Sequence, residues 1–336
     1  MVWKPKEREL TEEEAVEQAI KELKPQWLHS EPLFAVVYEG EGRDDVPLGE
    51  PKLFPLEKNF RARRWLLFFF DPTSFLDRSV HLYLRDLVKR YAQQAVTPLV
   101  VLPERPPFLA DLPRIDHFLR SLKLDWVVVA DVGSRIAQAF GVTQSPTLIL
   151  LDRGSVATVA SGLEGILSFE THLQSYLWKL EPGLPMYPAL PLEGVLKQET
   201  LRLDLAVHGT GPLQLSRPLT EAVEGGYRIS DPATVVTVQA PGPEFGLVLA
   251  PATAEGQAHV VIESSGMPIY DSYYGEELRM DDEGRTGFVV TDPKLYRATR
   301  GLPSSFRSLT IRFPGSDKMP VLWFGVRAAQ PWSRRG

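Results

Sequence analysis

A run of six large apolar residues, WLLFFF at 65–70, is followed by DPTSF and then by LDRSVHLYLRDLVKRYA. A continuous apolar run of this length suits a central strand covered on both faces, which an edge or half-exposed strand does not need. Val80, Leu84, Leu87, Val88 and Tyr91 then repeat at helical spacing, so the spacing predicts a helix from Asp77 to Ala92. The chain must therefore fold around a buried strand that runs through a short loop into an amphipathic helix. The 336 residues contain no cysteine. Disulfides are excluded, and so is thiol–disulfide exchange by a thiolate of the chain's own.

The rest of the first half repeats this alternation. Thr11 and Glu14 form a capping box that opens a helix to about Leu23, stopped by Pro25. Strands are expected at Leu33–Tyr38, Leu99–Leu102, Trp126–Ala130, Thr147–Leu151 and Val156–Ala160. Helices are expected at Leu112–Leu122, at Ser134–Phe140 (ended by Gly141) and at Phe169–Leu180. The pattern reads as an α/β unit with a mixed sheet. Pro182, Pro185, Pro188 and Pro191 then stiffen a stretch that suits neither helix nor sheet, read as an interdomain linker. Its apolar Leu184, Met186, Tyr187 and Leu190 are expected to lie along an interdomain seam. Beyond about Thr200, strand-like runs recur between turn signals at Thr234–Ala240, Phe245–Ala250, His259–Glu263, Thr286–Val290, Leu309–Phe313 and Val321–Val326. That texture predicts an all-β sandwich, with one short helix at Pro293–Arg300.

The expected organisation is an N-terminal helix and strand extension (1–58), an α/β domain (59–180), a Pro-rich linker (181–198), a β-sandwich (199–327) and a tail (328–336). A net charge of −6 with mixed signs argues against nucleic acid as a partner. No apolar stretch is long enough to span a membrane, and the N-terminus lacks a signal-peptide core, so a cytoplasmic protein is expected. The six histidines lie far apart with no i, i+4 pair, so a His-based metal site is not expected, and no cofactor is assigned.

The first domain resembles the thioredoxin-like fold, in its TlpA and DipZ-like branch. The resemblance is carried by Phe68–Asp77, by VVLPE at 100–104 and by VVVADVGSRIAQAFGVTQSPTLILLDRGSV at 127–156. It implies that Pro146 is the family's cis-proline. Residues 245–252, 284–301 and 309–326 resemble the β-rich domain that follows thioredoxin in DipZ-like proteins, which implies a carbohydrate-binding type of jelly roll. The departure lies at the chemistry: the family's two redox cysteines map onto Ser74 and Asp77. No catalytic residue is assigned.

Two sets of binding candidates follow. Thr73, Ser74, Phe75 and Asp77, with Ser145 and Pro146, would line a groove for an extended peptide, Ser145 offering its backbone by strand addition. Thr73, Ser74 and Asp77 equally suit plain helix capping. Tyr270, Tyr273 and Tyr274 form an aromatic set that would stack on sugars or pack internally, and Trp323 is expected to be buried. Glu276, Glu277, Asp281, Asp282 and Glu283 lack the calcium-loop order and read as a solvated turn. Three functions stay open: a redox-inactive binding or scaffold protein with a peptide or protein partner, a glutathione-dependent transferase, and a glycan-binding protein. The sequence leaves the oligomeric state open.

Overall fold

The computed structural model describes residues 33–37, 52–54, 63–111, 114–122, 126–204, 212–222, 225–239, 241–253, 256–303, 306 and 308–333. The helix expected at Thr11–Leu23 lies outside them.

The first half is built on one mixed sheet. Its strands are β1 (Leu33–Val37), β2 (Lys52–Phe54), β3 (Arg64–Phe69), β4 (Val96–Leu102), β5 (Val127–Ala130), β6 (Thr147–Asp152) and β7 (Ser155–Ser161). They lie in the order β2-β1-β5-β4-β3-β6-β7. Strands β3, β4 and β5 are parallel, and β6 and β7 are antiparallel additions beside β3. The helices are α1 (Phe75–Arg90), α2 (Asp116–Ser121), α3 (Arg135–Ala139) and α4 (Gly162–Leu180). The apolar run at β3 is explained by its central place. Leu66 and Phe68 face the α1 and α4 layer, while Trp65, Leu67 and Phe69 face α3. A side-chain period of two sends alternate residues to opposite faces, and both faces here are covered. The strand order, the parallel core and a cis Ser145–Pro146 bond form the thioredoxin-like arrangement that the sequence leads one to expect. A second cis bond, Arg105–Pro106, has no counterpart in those expectations.

The second half is antiparallel throughout. One sheet has the order β10-β11-β20-β13-β18, with β8 also paired to β20. These are β8 (Lys197–Asp204), β10 (Thr220–Glu221), β11 (Tyr227–Ile229), β13 (Glu244–Pro251), β18 (Lys294–Thr299) and β20 (Val321–Pro331). The other has the order β16-β17-β14-β19-β12-β9, with β15 paired to β14. Its members are β9 (Leu213–Leu215), β12 (Val235–Gln239), β14 (Ala258–Ser264), β15 (Met267–Pro268), β16 (Arg279–Met280), β17 (Thr286–Val290) and β19 (Ser308–Arg312). The two sheets enclose a core that includes Val236, Leu247, Ile262, Ile311 and Trp323, an arrangement compatible with a sandwich.

Pro293–Arg300 is a correction. The segment forms strand β18, not a helix, because Leu295 and Tyr296 are needed on opposite faces of the sheet beside β13. Short apolar segments are ambiguous in periodicity, and tertiary pairing decides them.

The halves share one core. Val248, Ala250, Leu295, Leu322 and Phe324 belong to the same apolar cluster as Phe75, Leu84 and Phe108. The sheet holding β13 and β20 is therefore a middle layer, with the sandwich core on one face and the α/β half on the other. This explains why β13 is buried along its whole length and β20 along nearly all of it.

The Pro-rich stretch packs differently from expectation. It is strapped onto α1 and α4 by Gln174, which bonds both the N–H and the carbonyl of Tyr187, by Arg90 to the Pro188 carbonyl, and by the Leu190 N–H to Glu170. Leu184 and Leu190 are half-buried there, but Met186 and Tyr187 stay exposed.

Candidate functional site

The loop from Asp71 to Asp77 leaves the carboxyl end of β3 and closes on itself. Asp71 Oδ1 accepts from the Thr73 N–H and hydroxyl, at 2.8 and 2.6 Å. Ser74 is the N-cap of α1, its Oγ accepting from the Asp77 N–H at 3.1 Å. Asp77 Oδ1 in turn accepts from the Asp71 N–H at 2.8 Å. Ser74 and Asp77 thus serve as a helix cap and a loop clasp, which suits their side chains.

The second half sits directly on this loop. Glu199 of β8 accepts from the Phe75 N–H at 2.9 Å, so a carboxylate occupies the N-terminus of α1, where free N–H groups and the helix dipole favour an anion. Arg202 pairs with Asp71 at 2.8 Å, and the Lys197 N–H donates to Ser79 Oγ at 3.0 Å. The Phe75 ring lies against Gly246, and the Arg297 guanidinium sits 5.6 Å from its centroid. A Cβ on Gly246 would come within 2.8 Å of the Tyr296 carbonyl and 3.4 Å of the Phe75 ring. Glycine is what lets β13 approach so closely. Around the rim, Glu276 bonds Arg78 and Arg297, while Glu277 pairs with Lys294.

Burial changes the acid–base behaviour here. Burial, reinforced by the charge of Asp71, holds the Asp77 carboxyl well above the usual carboxylate range. Glu199 is raised by burial and partly offset by Arg202. In the second turn of α1, His81 is buried between Phe70 and Trp126. Burial, with the Arg85 and Arg78 charges, pushes it down to about 4. It is a neutral core residue at physiological pH.

Thr73, Ser74, Phe75 and Asp77 are all at most 2% exposed, so in this closed arrangement they do not line an open groove. Ser145 is half-exposed and Pro146 is buried beside it. The register Phe69↔Thr147 sets this corner next to the start of the 71–77 loop. Tyr270 is exposed and meets Tyr273 edge-on, and Tyr273 meets Phe306 in the same way. Tyr273 and Tyr274 are half-buried, and Trp323 lies in the sandwich core, which leaves Tyr270 the most exposed of the four rings. Asp281 and Glu283 pair with Arg285. Among the described residues, no group of three or more His, Cys, Asp or Glu side chains could hold a metal ion. No helix among them is long and apolar enough to cross a membrane. Glu199, Arg202, Gly246 and Arg297 escape sequence reasoning, since nothing local marks a strand residue as the partner of a loop over a hundred positions away.

No family model matches this sequence, and no curated protein matches it. Among solved structures it is similar to a candidate thioredoxin from Neisseria meningitidis, at 17% identity over 41% of this chain and 88% of that one, with a TM-score of 0.34. A thioredoxin-family thiol:disulfide interchange protein from Chlorobium tepidum shows 19% identity over 44% and 98%, with a TM-score of 0.31. A secreted Mycobacterium tuberculosis disulfide oxidoreductase homologous to E. coli DsbE shows 12% over 35% and 85%, with a TM-score of 0.29. The thioredoxin-like topology of this chain is carried by its own strand order, register and cis-proline.

Proposed function

We propose that this chain is a redox-inactive thioredoxin-like binding or scaffold protein. The carrying observation is the Glu199 carboxylate on the Phe75 N–H. It supports the reading because the helix end that serves thiol chemistry in the resembled family is here part of an internal interface. With no cysteine in the chain, there is nothing at that end to attack a disulfide. A glutathione-dependent transferase would need the same helix end, so the seal speaks against that alternative.

An extended peptide partner would meet the protein at the half-exposed Ser145 edge, beside Pro146, while Thr73–Asp77 act from beneath as support. Two measurements test the reading. Insulin-disulfide reduction with added dithiothreitol should run at the rate of buffer, and turnover above that rate would overturn redox inactivity. A peptide array probed with the full chain should give signals that Ser145→Trp abolishes. Arrays that stay blank, or that bind the variant equally well, would refute the cis-proline edge as the contact.

A further inference from the structure

Three carboxyl groups meet where the second half sits on the loop. Asp71 and Asp77 are buried, and half-buried Glu199 reaches in from β8 to the Phe75 N–H. The positive side of the cluster has two members. Arg202 of β8 pairs with Asp71 at 2.8 Å, and its register partner on β20, the fully buried Arg327, acts through its charge on Glu199. Farther out the charges offset one another: Arg78 of α1 and Arg297 of β18 are held by Glu276, and Lys197 of β8 by Glu244 of β13. The seam itself is left with Asp71, Asp77 and Glu199 against Arg202 and Arg327, one acid in excess.

Hydrogen bonding decides which acid stays neutral. Both Asp71 oxygens accept, Oδ1 from the Thr73 N–H and hydroxyl and Oδ2 from Arg202, which suits the ionised form. Glu199 sits on the N-terminus of α1, where the helix dipole favours an anion. Asp77 has less support: its Oδ1 accepts from the Asp71 N–H, but its Oδ2 is buried with no hydrogen-bond partner. A buried carboxylate with an unpaired oxygen is far costlier than the neutral acid in the same place. The charges that act on Asp77, those of Asp71 and Glu199, are both negative and favour the proton.

We propose that the seam is a proton-gated latch: it closes with one proton held on Asp77, and loss of that proton parts the 71–77 loop from Glu199 and opens the N-terminus of α1 to solvent. In the opened loop Asp77 is exposed and ionises near its ordinary value of about 4. The closed seam keeps the proton to higher pH. Opening therefore grows easier as pH rises above about 4, by up to about ten-fold per unit, until the closed seam also loses the proton. Strand β8 stays paired to β20, so the moving parts are the Glu199 side chain and the loop. The latch stands on the geometry of the seam and not on peptide binding.

The test follows amide hydrogen exchange in the full chain, with nitrogen-labelled phenylalanine and Phe75 assigned through Phe75→Leu. Rates are taken from about pH 5 to about pH 8 and corrected for the intrinsic rise of exchange with pH. Protection of the Phe75 amide should fall by at least about ten-fold across that range. At every pH it should also be at least about ten-fold below that of Phe68 and Phe69 in β3, whose amides open only on global unfolding. Asp77→Asn has no proton to lose and should hold Phe75 protection level. Glu199→Gln leaves two acids for two guanidinium groups and should shrink the fall; it carries the test if Asp77→Asn does not fold. A level wild-type profile would overturn the latch. So would a fall that the folded variants repeat in full, or Phe75 protection equal to that of Phe68 and Phe69.

Discussion

Replacing His81 by Phe should remove a defined part of the acid sensitivity of this protein. His81 is 2% exposed, its ring 5.9 Å from Phe70 and 5.3 Å from Trp126. Its ordinary value of 6.5 falls to about 4 in the fold, through burial first and then the Arg85 and Arg78 charges. A base whose folded value is depressed stabilises the fold above its unfolded value and loses that contribution as pH falls towards the folded value. Between pH 7.5 and pH 4.5 the unfolded chain takes up a proton here that the folded chain largely refuses. The linkage amounts to about 2.5 kcal/mol by pH 4.5. His81→Phe carries no such proton. It has its own fixed packing offset, but that offset does not change with pH. The assay is urea unfolding of both proteins at pH 7.5, 6, 5 and 4.5, followed by tryptophan fluorescence, to which the adjacent Trp126 contributes. The stability difference, variant minus wild type, should move in favour of the variant by about 2–3 kcal/mol across that range. All other titrating groups are common to both proteins and cancel. Parallel pH profiles would show that His81 is solvated or paired in the folded chain, and would refute the burial argument.

Other perturbations bear on the seam. Asp77→Asn keeps the acceptor for the Asp71 N–H and removes a carboxyl held well above its usual range. A raised acid stabilises below its unfolded value and loses that contribution as pH rises, so the melting temperature of the variant should gain on wild type between pH 4 and pH 8; a gap that shrinks would contradict this. Phe75→Ala, at a ring 2% exposed against Gly246 and Arg297, should lower stability by about 3–5 kcal/mol in urea titrations. An open groove would make the same change nearly neutral. In the double variant Ser74→Cys, Asp77→Cys, both thiols should resist a bulky aromatic disulfide reagent until the protein unfolds, because the parent residues are 1% and 0% exposed. Full reaction within seconds in native buffer would show that the second half does not cover this loop.

Much of the first half is legible from local pattern alone. An apolar run such as Trp65–Phe70 can be satisfied only by two covered faces, the spacing from Val80 to Tyr91 fixes the buried stripe of α1, and the turn chemistry of Ser74 and Asp77 fixes its start. That these 336 residues supply no thiol of their own is read from the sequence without any structure. The β runs of the second half are legible too, because alternation and turn residues are local signals. What the sequence could not disclose is everything set by contacts between distant segments. Leu295 and Tyr296 suit a helix as well as a strand until β13 offers a partner. The loop at Thr73–Asp77 reads as a groove until Glu199 and Arg202 come to rest on it. Gly246 looks like an ordinary strand glycine until Phe75 fills the space beside it. Local pattern encodes which face of an element is apolar; which other face meets it depends on the path of the whole chain, and only the tertiary structure decides that.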